Sequence, residues 1–357
     1  MISIMKIFYI SRFLDDNNTG AKYVMQRNLR ALQKIAGRDN VIVYMHEKPS
    51  IATYFMSLLR QGSYGVSIQD EQSVLKIAQS NNYDWVFLEG TLFGNVVKKL
   101  RKKGIRTMVY AHNVDAMLYK QEMELNSTLI AKLRYIHVSM NERTTLQWTS
   151  KLLALTERDN DGFKQLYDRG ADIILPITYE RHPNNIQVST LNIKPYLLFV
   201  GSNFFPNVEG INWFIDYVAT HIDLDVRIVG GCCQNQLLQN RPLPVNVFLD
   251  GYVNDLSAFY KEAVAVIIPI FYGSGMKTKT IEALSYGKTI IGTEEAFVGV
   301  SADYDRIGGL CNSPEEFIDK ISLLDKSIRV NEYSLNVFNS YFSEEIFIDK
   351  LRAFINE

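Results

Sequence analysis

Cysteine is scarce: Cys232, Cys233 and Cys311 are the only three in 357 residues. They are too few and wrongly spaced for a disulfide framework or a zinc site, and adjacent cysteines rarely bridge, so a reducing cytoplasm is the expected compartment. Long apolar runs are missing too. The apolar start, Met1 to Ser11, carries Lys6 in its middle, is too short to span a bilayer and lacks a small-residue cleavage site, so it reads as a first buried strand. The loop after it offers only Gly20, whereas a dinucleotide fingerprint needs three glycines at G-x-G-x-x-G spacing, which argues against a nicotinamide or flavin site. G-x-S-x-G is absent, since Gly273-Ser274-Gly275 is a different spacing, and there are no zinc spacings, heptads or repeats.

What remains is a long, apolar-rich chain. Its length exceeds one ordinary core and suits two domains, and 47% hydrophobic residues can fill two sheets covered by helices on both faces. A net charge of −1 hides an asymmetry: residues 1–185 hold 25 Lys+Arg against 18 Asp+Glu, a balance of +7, leaving −8 for the rest. The densest basic run is Lys98, Lys99, Arg101, Lys102, Lys103 and Arg106, at the end of a predicted helix where cations complement the dipole. The same run could also hold the protein against anionic lipid.

Strand-like segments at Lys6–Ser11, Val41–Met45, Trp85–Leu88 and Thr107–Tyr110 alternate with helical patterns at Ala21–Ala36, Tyr54–Arg60, Ser73–Ser80 and Phe93–Lys103. Such alternation implies a parallel sheet. Met117 to Gln147 reads as a helix pair, Lys151–Leu155 as a strand before a Thr156 cap, and Ile173–Ile177 as the next strand. Thr178 to Thr190, with Pro183 and two asparagines, is the expected linker. Beyond it, strands at Tyr196–Val200, Val226–Val229, Val247–Leu249 and Gly308–Cys311 surround a helix at Gly210–Val218. Ser313 and Glu316 have capping-box spacing, and Ser343 is the expected cap of the closing helix.

Chemistry concentrates at Ile267 to Gly292. Ile267, Ile268 and Ile270 form a buried run, Gly273 and Gly275 free the backbone, Lys277 opens a helix carrying Ile281, Ala283 and Leu284, and Gly287 stops it. The first amides of a helix and its dipole favour an anion, so Gly273, Ser274, Gly275, Met276, Lys277 and Thr278 form a candidate phosphate site. Glu282 could accept hydrogen bonds from ribose hydroxyls; alternatively it forms a solvated i,i+3 pair with Lys279. A second candidate site follows Thr107–Tyr110, where His112, Asn113 and Asp115 leave the carboxyl end of a strand.

GSGMKTKTIEALSYGKTIIGT, preceded by FVGSNFFPNVEGINWFI and DGYVNDLSAFY, resembles the carboxyl-terminal domain of bacterial family-four glycosyltransferases of the GT-B fold, over about residues 195–300. The resemblance implies an α/β chain of two Rossmann-like parallel-sheet domains facing across a cleft. These are an acceptor-binding domain at 1–185, a nucleotide-sugar domain at 186–335 and a terminal helix at 336–357 packing back on the first domain. It implies a nucleotide-diphosphate sugar as co-substrate and no cofactor, with Lys277 and the loop amides on the diphosphate and Glu282 on the ribose. The turn residues Ser202 and Asn203 are further donor contacts, and Tyr252 and Val253 take the base. It also implies Gly20 and Asn113 on the acceptor side and His112 facing the donor sugar. Lys277 and His112 are the catalytic candidates. Two departures stand out: Ser274 occupies the position of the family's earlier glutamate, and the GSNFFPN turn lacks the basic residue that many members place on the diphosphate.

The expected activity is retaining sugar transfer to a saccharide acceptor, lipid-linked, in cell-envelope or exopolysaccharide synthesis. A cytoplasmic location at the inner membrane face goes with it, and no nucleic acid partner is expected. Asp223-Leu-Asp225 matches the metal-binding D-x-D of the other large glycosyltransferase fold but precedes a strand, so no metal is expected. A nucleotide-sugar epimerase of the same fold and a catalytically silent partner subunit are the competing readings.

Overall fold

The computed structural model describes residues 5–12, 20–181 and 194–357. They divide into two compact units, Met1–Pro176 with Phe347–Glu357, and Ile177–Ile346. The expected boundary at 185/186 and most of the expected linker lie outside the described residues, as does most of the loop before Gly20.

The first unit is built on six parallel strands: β1 (Ile7–Ser11), β2 (Val41–Met45), β3 (Trp85–Glu89), β4 (Thr107–Tyr110), β5 (Lys151–Ala154) and β6 (Ile173–Ile174), ordered β2-β1-β3-β4-β5-β6. Every residue of β1, β3 and β4 is buried, as expected of parallel strands covered on both faces, whereas edge strand β2 exposes Ile42, Val43 and Met45. Phe8, Ile10, Val86, Leu88, Val109 and Leu152 pack with Val96, Val97 and Leu100 of the helix Gly94–Lys102. The last helix, Glu344–Asn356, sends Phe347 and Phe354 into this unit, where the Phe347 ring lies 3.7 Å beneath the Arg27 guanidinium and the Phe354 carbonyl accepts from Lys151.

The second unit repeats the plan with β7 (Tyr196–Val200), β8 (Asp225–Val229), β9 (Val247–Gly251), β10 (Ala265–Ile268), β11 (Thr289–Gly292) and β12 (Gly308–Leu310), ordered β12-β11-β10-β7-β8-β9 and parallel throughout. Strand order reverses between β7 and β10 here, and between β1 and β3 in the first unit. Open α/β sheets place ligands at the carboxyl ends of strands beside such a reversal.

Most expected elements form within a few residues of their predicted bounds. The Thr156 side chain accepts from the Asp159 amide at 3.1 Å, and Ser313 and Glu316 make the reciprocal capping box. Three expectations are corrected. The helix expected from Gly210 runs over Phe205–Tyr217, with Pro206 in its first turn. Gly210 lies in its interior because a Cβ there would sit 1.8 Å from the Pro269 carbonyl oxygen. The strand expected over Ile173–Ile177 pairs only at Ile173 and Ile174, and Pro176, which has no N–H to give a ladder, follows closely. Ser343 stands at the start of the last helix, but its buried hydroxyl makes no hydrogen bond, so it is not a side-chain cap.

Candidate nucleotide and sugar sites

At the reversal of the second sheet, β7 runs into the turn Gly201–Asn203 and β10 into the glycine loop. Gly273 and Gly275 have φ of 144° and 63°, conformations that L side chains rarely adopt, so the loop bends there at little cost. Buried Met276 anchors the loop from below. Lys277 is the last extended residue, the helix spans Thr278–Ser285, and Gly287, at φ 61°, follows its end. Inside the helix the Thr280 hydroxyl donates to the Ala296 carbonyl at 2.6 Å, tying the helix to the turn after β11.

The loop places Lys277 where the sequence puts it, but not as an open cation. Its ammonium is mostly buried, lies 2.6 Å from the Glu295 carboxylate and donates to the Gly275 carbonyl at 3.1 Å. Glu295 therefore orients this lysine and shares its charge. The Ser274 carbonyl lies 3.4 Å from the same ammonium.

Lys279 corrects the solvated-pair reading. Its amine donates to Asn207 Oδ1 at 2.6 Å and stands 4.6 Å over the Phe199 ring, while Asn207 Nδ2 donates to the Ser202 carbonyl at 3.1 Å and lies 3.2 Å from Ser202 Oγ. A cation from the later helix thus sits against the uncharged GSNFFPN segment. Burial pushes the Lys279 pKa down to about 7, assisted by the charge of Lys277 and opposed by Cys232 and Glu282. Glu282, one helical turn on, is pushed up to about 7 by burial, against the lowering effects of the Tyr260 hydroxyl, which donates to it at 3.1 Å, and of Lys279.

Ser202 and Asn203 are exposed in the turn after β7, and Asn203 Oδ1 accepts from Asn235 at 2.8 Å. Gly230 packs beneath them: a Cβ there would lie 2.4 Å from the Gly201 carbonyl oxygen. Tyr252 and Val253 follow β9, the edge strand two places from β7, with the Tyr252 ring 54% exposed and so able to stack on a planar ligand. Asp225 opens β8 at the opposite, amino edge of the sheet. It pairs there with Lys194, and Asp223 pairs with Lys326, so the D-x-D pair is held by lysines far from the glycine loop along its strand.

In the first unit, His112 follows β4 and Glu89 closes β3. Glu89 is fully buried at the strand reversal, and His112 Nε2 lies 2.7 Å from its Oε2. Asn28 Nδ2 lies 2.9 Å and 3.2 Å from the two Glu89 oxygens, and the Tyr9 hydroxyl lies 2.9 Å from Oε1. Asn113 is half-buried beside His112, and Gly20 opens the helix Gly20–Ala36. The next segment is pinned from below: Glu142 accepts from the Asp115 and Ala116 amides at 2.8 and 3.0 Å, and the Thr91 hydroxyl lies 2.6 Å from Asp115 and 2.9 Å from Glu142. Burial raises the pKa of Asp115 and takes that of Glu142 up to about 7.

The basic segment has internal work. Lys99 pairs with Glu71 at 3.0 Å, Lys98 and Lys102 lie over Trp148, and Arg106 lies 4.5 Å over Trp85. Because Arg106 directly precedes β4, this segment lies at the amino edge of the sheet, and His112 at the carboxyl edge. Among the described residues no helix is long and apolar enough to cross a membrane.

Two parallel six-stranded sheets of this order, together with the solved structures they resemble, define the GT-B class of fold. Residues 194–326 match the family model "Glycosyl transferases group 1". With that family's domain on this fold, the chain is a glycosyltransferase. The chain is 19% identical over 304 residues to an uncharacterized 44.6 kDa protein in the cps region of Klebsiella pneumoniae, covering 79% of this chain and 77% of that one. Among solved structures, Anabaena HepE in complex with UDP superposes with a TM-score of 0.66 at 13% identity, covering 99% of this chain and all of the other. TarM gives 0.66 at 11% identity, covering 100% and 99%. The apo lipopolysaccharide outer core galactosyltransferase WaaB gives 0.62 at 13% identity, covering 99% and 100%.

Proposed function

We propose that this glycosyltransferase moves a sugar from a nucleoside diphosphate sugar to a saccharide acceptor during assembly of a cell-envelope or extracellular polysaccharide. The observation that carries the donor assignment is a glycine loop at the strand reversal that opens a helix, with Lys277 and Lys279 at the helix start. Two cations and a helix amino end suit a diphosphate, and Glu282 suits the ribose. Structures of the HepE neighbour hold UDP and UDP-glucose, and the cps-region relative is in keeping with polysaccharide synthesis.

In this reading Lys277, held by Glu295, and Lys279, held by Asn207, stabilise the diphosphate as its bond to the sugar breaks and its charge grows. Glu295 offsets the charge of Lys277, so Lys279 and the loop amides carry most of the diphosphate charge in this reading of transfer without a metal. Attack on the face the diphosphate leaves would retain configuration, with the leaving phosphate oxygen taking the acceptor's proton. No protein base is then required. Ser202 and Asn203 bound the phosphate site, Tyr252 and Val253 receive the base, and Ser274 offers a neutral hydroxyl to the donor sugar. His112 binds a sugar hydroxyl, and Asn113 and Gly20 lie toward the acceptor. A lipid-linked acceptor would bring the protein to the inner membrane face, where the Lys98 to Arg106 segment suits an anionic surface. Binding to anionic vesicles that fades with added salt tests that contact.

The activity is tested by incubation with labelled nucleotide sugars. Nucleoside diphosphate released together with a glycosylated acceptor supports transfer. Interconversion of the donor sugar would mark an epimerase, and neither outcome over a full donor panel would mark a silent subunit.

A further inference from the structure

We propose that Glu89 is the positioning residue for His112, fixing its imidazole as the Nε2–H tautomer so that Nδ1 is presented as a hydrogen-bond acceptor. The inference rests on His112 being the sugar-hydroxyl contact of the first unit, and it adds a residue that local sequence marks only weakly. Glu89 closes β3 at the strand reversal of the first sheet, with its side chain wholly removed from solvent, while His112, one strand over, is 15% exposed. A buried carboxylate needs donors around it, since an unpaired one would be strongly disfavoured. Three residues supply them. The Asn28 amide lies within reach of both oxygens, the Tyr9 hydroxyl reaches Oε1, and His112 Nε2 is 2.7 Å from Oε2.

The geometry leaves the imidazole one role at that contact. Oε2 of a carboxylate only accepts, so Nε2 must carry the hydrogen, and in the neutral ring Nδ1 then holds the lone pair. The ring is further fixed edge-on to Tyr110 at 5.6 Å. A sugar hydroxyl donating to Nδ1 therefore meets a pre-oriented acceptor. Holding a group within a fraction of an ångström of its working position is what such a supporting residue contributes.

The tautomer is read directly by 15N–1H correlation of the imidazole in the full chain, without substrate. The wild type is expected to show Nε2–H. Glu89→Gln keeps the shape but can turn an NH2 toward His112, and is expected to shift the ring to the Nδ1–H form or a mixture. Glu89→Ala is expected to lower kcat/KM for the donor by about tenfold, the worth of one sugar hydrogen bond. The double variant Glu89→Ala/His112→Ala should be no slower than His112→Ala alone, because both changes remove one function. Thermal melting of both Glu89 variants separates loss of fold from loss of positioning. An Nδ1–H or doubly protonated ring in the wild type, an unaltered tautomer in Glu89→Gln, or rate losses that multiply in the double variant would each overturn the proposal. A protein that turns over no nucleotide sugar, yet loses its Nε2–H tautomer in Glu89→Gln, would sink the transfer reading and uphold the dyad.

Discussion

In the proposed reading donor binding turns on Lys279, because it brings charge to a turn that has none of its own. Lys279→Met keeps the aliphatic stem over Phe199 and removes the ammonium. It is expected to weaken nucleoside diphosphate binding by at least about tenfold while barely affecting the nucleoside, measured by calorimetric titration of both. The same group makes binding pH-dependent. Lys279 must be protonated to hold a phosphate, and Glu282 must be ionised to accept from a ribose, and both titrate near 7. Affinity is therefore expected to peak near neutrality and fall on either side. Glu282→Gln should remove the acid limb and Lys279→Met the alkaline limb. For the empty protein the sign follows from Glu282's raised pKa: the cost of burying its charge is absent below its ordinary 4.5 and complete above about 7, so this group makes stability fall as pH rises through that window. A flat affinity profile between pH 5.5 and 8.5 would remove both groups from the site.

The helices that carry these residues are fixed by particular contacts. Gly210 lets the helix Phe205–Tyr217 lie against the chain just after β10, with no room for one methyl group before the Pro269 carbonyl. Gly210→Ala is expected to destabilise the protein by about 3 kcal/mol, read as a lower denaturation midpoint, since backbone rather than a flexible side chain must move. Ser313→Ala breaks the capping box of the helix Pro314–Ser322 and should cost about 1 kcal/mol, leaving nucleotide affinity unchanged. These elements also show what local sequence can and cannot reveal. The Ile267 to Gly292 unit was legible because strand, glycines and helix are consecutive, and each signal is local. Gly210 misled because a glycine at a helix start and one in a helix interior look alike until the neighbouring strand is known. Lys279 was hidden for a related reason: its partner Asn207 is 72 residues away, so helical spacing paired it with Glu282 instead. Glu89 carried only one weak sign, a carboxylate ending an otherwise apolar strand.

At the scale of the molecule, two sheets of different strand order place their candidate residues at the same kind of position, the carboxyl ends beside a reversal. Alternating strands and helices were enough to predict two parallel sheets, because burial on both faces writes itself as runs such as Tyr196–Val200 and Ala265–Ile268. Strand order was not legible, since it depends on which side of the first strand each crossover packs. A ligand of the second unit should stabilise the protein by about 2.7 kcal/mol at a hundred times its dissociation constant. UDP is the probe to try first, and a melting temperature that does not move at saturating UDP or any other nucleoside diphosphate would count against a donor site. The decisive measurement is a crystal structure of the protein with a bound nucleoside diphosphate. The expected result is a diphosphate at Gly273–Thr278, within hydrogen-bond distance of Lys279 and Lys277, and the ribose on Glu282. A nucleotide bound elsewhere, with the glycine loop empty and no phosphate on Lys279, would contradict it.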